Sequence, residues 1–229
     1  MPTIGIITGT RPEEVSLSTL THANAARIAC SGASAAGAEA AARRLVADGC
    51  AGLASIGTAG GLDPALAPGA VVLCDGVVPP DGGEIAPPDG AWTDRLAAGL
   101  MAGGVTVHRG CLLGAGAALL TPRDKSRAFA ATGASAVDME SDAVARVARA
   151  SGLPWVALRA VADPAGFALP ALAARSIKPD GRVDLAGLIC GLARHPAQIG
   201  GFLALARRGR TALAALRRVA ALGLFFEPL

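Results

Sequence analysis

Short apolar runs and Ala-rich segments with a helical period alternate along most of the chain. Runs of β-branched and apolar residues bounded by Gly, Pro or Asp predict strands at residues 3–9, 27–33, 50–58, 69–78, within 105–116, and 153–163. Apolar residues that recur every three or four positions predict helices at residues 35–49, 91–104 and near 139–150, with a short helix starting at Pro12. Strands that alternate with helices predict an α/β domain with three layers around a buried, largely parallel sheet.

Residues 194–229 follow a different pattern. Their apolar residues are mostly Ala, Leu and Phe, and six arginines stand against a single acid, Glu227. The segment predicts one or two amphipathic helices, with Pro196 near a helix start and Gly209 separating the two halves. We therefore predict an α/β domain over residues 1–193 and a basic amphipathic helical extension over 194–229.

The composition narrows the class of protein. The 229 residues are 52% hydrophobic, 17% charged and 3% aromatic, with a formal net charge of +3, which is typical of a tightly packed globular protein. A nucleic-acid-binding protein usually combines basic patches with stacking aromatic residues, so that class is disfavoured. The sequence has no apolar run long enough to span a membrane and no signal-peptide pattern at its N-terminus, which predicts a cytoplasmic protein.

Five scattered cysteines give no sign of a metal site. Cys30, Cys50, Cys74, Cys111 and Cys190 form no CxxC pair, and most stand in apolar surroundings. Reduced, buried thiols are the better interpretation.

Two carboxylates stand at positions where packing alone would place apolar residues. Glu140 lies at the start of a helix, in line with the apolar positions 143 and 144, where the helix dipole favours its ionised form. Asp163 ends a strand that is otherwise apolar, apart from Arg159, and ligands bind at the carboxyl ends of such strands. A helix-capping Glu and a turn-closing Asp explain the same two residues. Arg159 needs an anionic or carbonyl partner, and we favour a structural role for it.

Two further segments offer ligand-binding groups. Gly57, Gly60 and Gly61 follow a strand and allow the backbone to approach a ligand closely, and Thr58 adds a hydroxyl group. The first strand ends in RPEEV, which places Arg11, Glu13 and Glu14 beside a Gly turn. A generic turn in the first case, and acids at a helix start in the second, are the alternative explanations.

Taken together, the segments resemble the nucleoside phosphorylase/nucleosidase superfamily that includes methylthioadenosine/S-adenosylhomocysteine nucleosidase. The matching motifs follow the family order over residues 3 to 165. They are IGIITGTRPEEV, CSGAS, SIGTAGGLDPALAPGAVVL, AVDMES and LRAVAD. The resemblance implies a three-layer αβα sandwich with a central mixed sheet, like purine nucleoside phosphorylase, followed by the C-terminal amphipathic helices.

The resemblance also implies cleavage of the N-glycosidic bond of an adenine nucleoside. Met139 and Glu140 would hold the ribose, and Asp163 would donate a proton to N7 of the purine. Glu14 would act on the opposite face of the sugar. The nucleophile or phosphate would be bound by Thr58, Gly57 and Arg11. No metal or organic cofactor is implied, and phosphate is the one candidate co-substrate.

Several positions depart from the family pattern. Ala162 stands where the family usually has Ser before the Asp, which removes a hydrogen bond that would orient Asp163. The usual aromatic residue of the base pocket is absent, and Leu119 or Leu120 would replace it. Ser55 occupies the place of a phosphate-binding Arg, which weakens the phosphorylase interpretation. Whether water or phosphate attacks the sugar stays open.

The basic tail suggests a particular substrate. The chain resembles the hopanoid-associated phosphorylase branch of the superfamily, which implies adenosylhopane as substrate and a cytoplasmic enzyme that visits the inner membrane surface through its Arg-rich helices. A soluble nucleosidase acting on methylthioadenosine or S-adenosylhomocysteine is the first alternative. A non-catalytic protein that binds a nucleoside or a membrane is the second. The family resemblance further implies a homo-oligomer.

Overall fold

The computed structural model describes residues 3–24, 26–174 and 176–224. Seven strands form one sheet; in chain order they are β1 (Ile4–Thr8), β2 (Ala26–Cys30), β3 (Gly52–Gly61), β4 (Val71–Val78), β5 (Val107–Gly114), β6 (Ala136–Asp138) and β7 (Trp155–Asp163). The helices are α1 (Arg11–Ser16), α2 (Ala35–Ala47), α3 (Gly90–Ala102), α4 (Pro122–Thr132), α5 (Ser141–Ala150), α6 (Ala171–Ala174), α7 (Leu185–Arg194) and α8 (Ile199–Ala221). Short 3₁₀ helices cover Ser18–Asn24 and Pro196–Gln198.

The sheet is mixed and partly closed. Strands β2, β1, β3 and β7 are parallel neighbours, and β4 and β5, like β5 and β6, also pair in parallel. Strand β4 pairs antiparallel with β7, and the end of β3 pairs antiparallel with β6. Five strands, β3, β7, β4, β5 and β6, therefore form a closed circuit, from which β1 and β2 extend as an open sheet. The mixed sheet of the expected fold is confirmed.

Successive residues of the central strands enter two separate cores. Ile7 and Leu53 pack with α2 and α5 on one face, whereas Ile6 and Ala54 pack with α3 and α8 on the other. Because side chains alternate along a strand, a strand covered by helices on both faces must be apolar throughout. The three-layer αβα arrangement is confirmed.

Helix α8 is part of one of these cores. Ala212, Leu216, Val219 and Ala220 are buried together with Trp92 and the apolar side chains of β1, β3 and β7. The helix is continuous from Ile199 to Ala221, so Gly209 does not separate two halves as the sequence predicted. A glycine inside a helix costs only about 1 kcal/mol relative to alanine, which burial of the apolar face offsets.

Four elements escaped the sequence prediction: α4, β6, α6 and α7. Strand β6 has only three residues, and α6 has four, too few to show a period. Helix α4 is largely polar and exposed, so its periodic signal is weak. The division of the chain at residue 193 stays a prediction, and residues 225–229 at the end of the predicted extension lie outside the described residues.

Candidate active site

A cavity of about 280 Å³ lies where several strands of the sheet end. Its wall is formed by residues that close or follow β1, β2, β3, β6 and β7, together with side chains from the segment between α4 and β5 and from the C-terminal helices. The carboxyl edge of parallel strands is the usual ligand site in α/β folds. The position of the cavity therefore follows from the topology of the sheet.

Glu13 is the acid that β1 and α1 present to this cavity. One carboxylate oxygen, Oε2, accepts hydrogen bonds from the backbone amides of Gly9 (2.8 Å) and Thr10 (2.9 Å). The other, Oε1, accepts from the amide (2.9 Å) and the hydroxyl (2.6 Å) of Thr58 on β3. Four donors therefore hold a buried carboxylate in one orientation beside Thr58.

Glu14 and Arg11 are not among the residues that line the cavity. They form an ion pair with each other at 2.5 Å, and Arg11 also donates to the backbone oxygen of Asp180. The family resemblance implies that Glu14 and Arg11 belong to the site, but of these neighbouring residues only Glu13 lines the cavity. Adjacent helical residues point about 100° apart, and only the third residue of a helix can reach back to its capping amides.

The motif that marks Glu13 is visible in the sequence. Thr10 precedes α1, and Glu13 stands three residues later, which is the capping-box pattern. Here the Glu13 side chain also reaches Thr58, 45 residues away along the chain. The same side chain therefore caps a helix and faces the cavity.

Asp138, Glu140 and Arg159 form a buried network at one wall of the cavity, which Asp138 and Glu140 line. Asp138 accepts from the amides of Glu140 (2.8 Å) and Ser141 (2.7 Å) and from Nε of Arg159 (2.9 Å). Nη2 of Arg159 donates to the hydroxyls of Ser55 (2.7 Å) and Ser141 (3.1 Å), and more weakly to Glu140 Oε2 (3.4 Å). Arg159 thus has the anionic partners that its sequence context demanded, although Asp138 was not among the predicted residues.

The pKa values of the two acids of this network shift in opposite directions, although burial acts to raise both. Burial raises the pKa of Glu140 to about 8; Arg159 opposes this shift, while the neighbouring Asp138 and Glu13 add to it. Burial also works to raise the pKa of Asp138, but Arg159 and the amide of Ser141 hold that pKa below its usual value. The sequence analysis expected an ionised Glu140, whereas the structure favours its protonated form at neutral pH.

Two glycines let these side chains converge. A Cβ atom on Gly9 would lie 3.0 Å from Glu140 Oε1 and 3.2 Å from Glu13 Oε2. A Cβ atom on Gly57 would lie 2.8 Å from Nη1 of Arg159 and 3.0 Å from Glu13 Oε2. Both contacts are too short for a real side chain to be accommodated without movement, so Gly9 and Gly57 permit the close approach of the acids. Gly57 itself lies behind the cavity wall.

Asp163 lies at the end of β7 and is paired with Lys125 of α4. The Lys125 ammonium group donates to Asp163 Oδ2 at 2.6 Å, and Lys125 is fully buried. Burial raises the pKa of Asp163, and the charge of Lys125 opposes that shift. Sequence reasoning missed Lys125, although it falls in line with Ala128 and Phe129, the partly buried apolar positions of α4.

The remaining predicted residues divide between the cavity and its surroundings. Met139 and Leu119 line the cavity beside Glu140 and Asp163. Leu120 lies just outside, where its carbonyl oxygen accepts from the amide of Leu169 at 2.8 Å. The apolar side chains that complete the wall were not predicted: Leu169, Ala173, Ile177 and, from α8, Leu205.

Comparisons with known proteins agree with this architecture. The family model described as the Phosphorylase superfamily matches residues 4–177. Among solved structures, the 5′-methylthioadenosine/S-adenosylhomocysteine nucleosidase of Neisseria meningitidis, in complex with methylthio-immucillin-A, is similar at 16% identity and a TM-score of 0.76, over 98% of this chain and 99% of that chain. The corresponding nucleosidase of Colwellia psychrerythraea, in complex with adenine, is similar at 18% identity and a TM-score of 0.72, over 98% and 94%.

A futalosine hydrolase of Helicobacter pylori is also similar, at 18% identity and a TM-score of 0.65, over 71% of this chain and 88% of that chain. A comparison of the sequence with curated proteins found no match. At these identities the solved structures establish the fold, while the family model establishes descent. The chain belongs to the phosphorylase superfamily and is an enzyme of that superfamily.

Proposed function

We propose that the protein hydrolyses the N-glycosidic bond of an adenine nucleoside and releases adenine. The observation that carries this proposal is the convergence of Glu13, Glu140 and Asp163 on one cavity at the carboxyl edge of the sheet. An acid for the leaving base, an acceptor for the sugar hydroxyls and a carboxylate for the nucleophile are the three groups that the reaction needs.

Each group has a defined part in the proposed reaction. Asp163 donates a proton to N7 of adenine as the bond between C1′ and N9 breaks and its electron pair moves to the base. Met139 packs against the ribose, and Glu140 binds its hydroxyl groups. Glu13, held by Thr58, orients a water molecule that attacks C1′ and takes up the proton that this water loses. The balanced products are adenine and the free sugar, so no cofactor is required.

The charge distribution favours water over phosphate as the nucleophile. Four carboxyl groups line the cavity: Glu13, Asp138, Glu140 and Asp163. The two buried cations beside the cavity are already paired: Arg159 with Asp138 and Glu140, and Lys125 with Asp163. A phosphate dianion would therefore meet carboxylates rather than a cation that is free to bind it, among the residues that the structure describes.

Release of adenine from methylthioadenosine and from adenosylhopane, with and without phosphate, tests the reaction. We expect adenine and a free sugar, with a rate that does not depend on phosphate. Glu13→Gln should lower kcat by about 10²–10⁴-fold, the range of general acid–base contributions. Glu14→Gln is the matched control and should keep the activity of the unchanged protein. Equal losses in both variants, or formation of a sugar 1-phosphate, would contradict the proposal.

We further propose that the nucleoside carries a lipid on its 5′ carbon, as in adenosylhopane of hopanoid biosynthesis. The apolar side chains of Leu169, Ile177 and Leu205 extend one wall of the cavity toward the C-terminal helices. Such a wall suits an apolar 5′ substituent better than a charged one. A methylthioadenosine-type substrate, whose 5′ substituent is also apolar, is the second candidate, and the two nucleosides compared in the same assay discriminate between them.

A lipid-linked substrate would require contact with the membrane surface. Leu185 and Ile189 on α7 and Leu203 on α8 are about two-thirds exposed, and Arg207 and Arg210 continue the outer face of α8. Exposed apolar side chains beside arginines suit an interface with anionic lipid. No helix in the described part of the chain is long and apolar enough to cross a bilayer. We propose peripheral contact from the cytoplasmic side.

Flotation with vesicles of phosphatidylcholine and phosphatidylglycerol tests this contact. We expect binding that weakens at high salt and is lost in the double variant Leu185→Ser/Leu203→Ser. Met101→Ser removes an equally exposed apolar side chain on α3 and is the control. Binding by the double variant equal to that of the control would contradict membrane contact.

Two further properties of the protein can be tested separately from the reaction. A protein that binds the nucleoside without cleaving it would show the same affinity in Asp163→Asn and release no adenine. The family resemblance also supports a homo-oligomer, which sedimentation of the full chain would measure.

A further inference from the structure

Lys125 makes an unusual set of contacts for a surface helix. It is the single buried residue of α4, and its ammonium group faces four oxygen atoms. They are Asp163 Oδ2 at 2.6 Å and the backbone oxygens of Asp163 (3.0 Å), Pro164 (3.1 Å) and Phe167 (3.2 Å).

The oxygen atoms around Lys125 keep it charged. An isolated ammonium group in an apolar interior costs several kcal/mol, and only paired, hydrogen-bonded charges are tolerated there. Four acceptors for three N–H donors leave no donor unpaired. A methionine of similar length would fill the same volume without that cost, so volume alone does not explain a lysine at this position.

Within the described part of the chain, Lys125 is the only side chain that hydrogen-bonds to the Asp163 carboxyl group. Ala162 precedes it and has no hydroxyl to donate, and a Cβ atom on Gly60 would lie only 3.2 Å from Asp163 Oδ2. Lys125 therefore supplies the side-chain hydrogen bond that orients this carboxyl group. It also ties the backbone of residues 163–167 to α4, just before Leu169 on the cavity wall.

We propose that Lys125 is the positioning residue of the leaving-group acid: it aims the Asp163 carboxyl group into the cavity and stabilises the carboxylate that remains after proton donation. The proposal rests on the proposed function, since it assumes that Asp163 protonates the departing base. The proton moves from Asp163 to N7 of the base, and Lys125 keeps all of its own protons throughout.

Burial and Lys125 have opposing effects on the pKa of Asp163, so the proposal predicts how activity depends on pH. Burial favours the protonated acid, and Lys125 favours the carboxylate. Loss of the ammonium charge would raise the pKa of Asp163, so the protonated, active form would persist to higher pH. The other ionisable groups that face the cavity are Glu13, Asp138 and Glu140, and they are the same in every variant compared.

The experiment compares kcat of adenine release against pH for the unchanged protein and four variants. In Lys125→Met and Lys125→Gln we expect kcat at its low-pH plateau to fall by about 10²-fold, near the lower end of general acid contributions. The high-pH fall of activity should move to higher pH in both. Lys125→Arg keeps the charge and should keep the position of that fall. Arg127→Met removes an exposed charge from the same helix and should change neither quantity.

A purely structural Lys125 would give a different result. Its loss would reduce the yield of folded protein or its melting temperature, while kcat per folded molecule and the pH profile would stay as in the unchanged protein. That outcome in both Lys125→Gln and Lys125→Met would overturn the proposal. Lys125→Gln retains a donor and is the variant to compare where Lys125→Met does not fold.

A separate measurement distinguishes failure of this proposal from failure of the proposed function. The ¹³C signal of the Asp163 carboxyl group reports its titration directly, without turnover. If the unchanged protein releases no adenine, the proposed function fails, but the pKa of Asp163 should still rise in Lys125→Gln. If adenine is released and that pKa does not move, the role of Lys125 fails alone.

Discussion

At the residue scale, the carboxyl groups of the cavity differ because their partners differ. Glu13 has four hydrogen-bond donors and no cation in contact among the described residues, whereas Asp138 shares the guanidinium group of Arg159. Asp163 has an ammonium partner, and Glu140 has only a distant contact of 3.4 Å with Arg159. Groups of one chemical type can therefore take separate parts in one reaction.

The weak pairing of Glu140 predicts a pH-dependent affinity for nucleoside. Its pKa is raised to about 8, so it is mostly protonated at neutral pH, and a ribose hydroxyl binds best to the ionised form. Affinity for an uncleavable nucleoside analogue should therefore rise by up to about tenfold per pH unit below 8 and level off above it. Calorimetry in the Asp163→Asn background, where Asp163 does not titrate, measures this dependence.

The control for this prediction is Glu140→Gln in the same background. It should bind more weakly at high pH and show no rise in affinity between about pH 6 and 8, the range below the Glu140 pKa of about 8 in which affinity rises while Glu140 is present. An equally steep rise in the variant would assign the titration to Asp138 or Glu13 instead.

At the scale of elements, the two faces of α8 have different environments. Its inner face is buried with α3 and the central strands, and Leu205 on the same helix lines the cavity. Its outer face carries Leu203 and exposed arginines. The spacing of apolar residues and arginines along the sequence predicted the helix and its amphipathic character. Which apolar side chains are covered depends on elements that are distant along the chain, because the helix packs on α3 and on strands β1, β3 and β7.

Truncation of side chains on the two faces of α8 should have unequal effects on stability. Leu216 is fully buried, so Leu216→Ala should lower the free energy of unfolding by about 2–5 kcal/mol through lost burial and the cavity it leaves. Leu203→Ala removes an exposed side chain and should change that free energy by less than about 0.5 kcal/mol. Urea denaturation followed by circular dichroism measures both; similar losses would show that α8 does not pack as described.

At the scale of the whole molecule, polar and reactive groups differ in how deeply they are buried. Four carboxyl groups line the cavity at one edge of the sheet, and Arg207, Arg210, Arg217 and Arg218 of α8 are exposed. The five cysteines form no disulfide; Cys50 and Cys74 are buried, but Cys190 on α7 is exposed, which the sequence analysis did not anticipate. Because α7 packs loosely on the domain, its apolar pattern did not guarantee burial.

The reactivity of each thiol should follow the burial of its cysteine. Burial raises the pKa of Cys74 to about 12, so the thiolate that reacts with a disulfide reagent is scarce and shielded. Cys190 should react first in the native protein, and Cys74 only after unfolding. Reaction of the native protein with a chromogenic disulfide reagent measures the two phases. Cys190→Ser should remove the fast phase, and a fast phase that persists would contradict the exposure of α7.

Much of the fold was predictable because it depends on local patterns. Alternating apolar strands and periodic helices predicted three layers, and the motifs around Glu140 and Asp163 predicted the family. Short elements such as β6 were not predictable, since three residues carry no period. The positions of Thr58, Met139, Glu140 and Asp163 around one cavity agree with the predicted site, although their roles stay proposals.

The sequence by itself determined the order of most strands and helices, the apolar interior and the edge of the sheet at which ligands bind, because these follow from residue spacing and chain direction. Only the tertiary structure decided that Glu13 rather than Glu14 faces the cavity, that Lys125 meets Asp163, and that α8 closes a core. The physical reason is that hydrogen bonds and ion pairs form between groups close in space. Those of the site join residues separated by 38 positions at Lys125 and by 45 at Glu13, which no local pattern records.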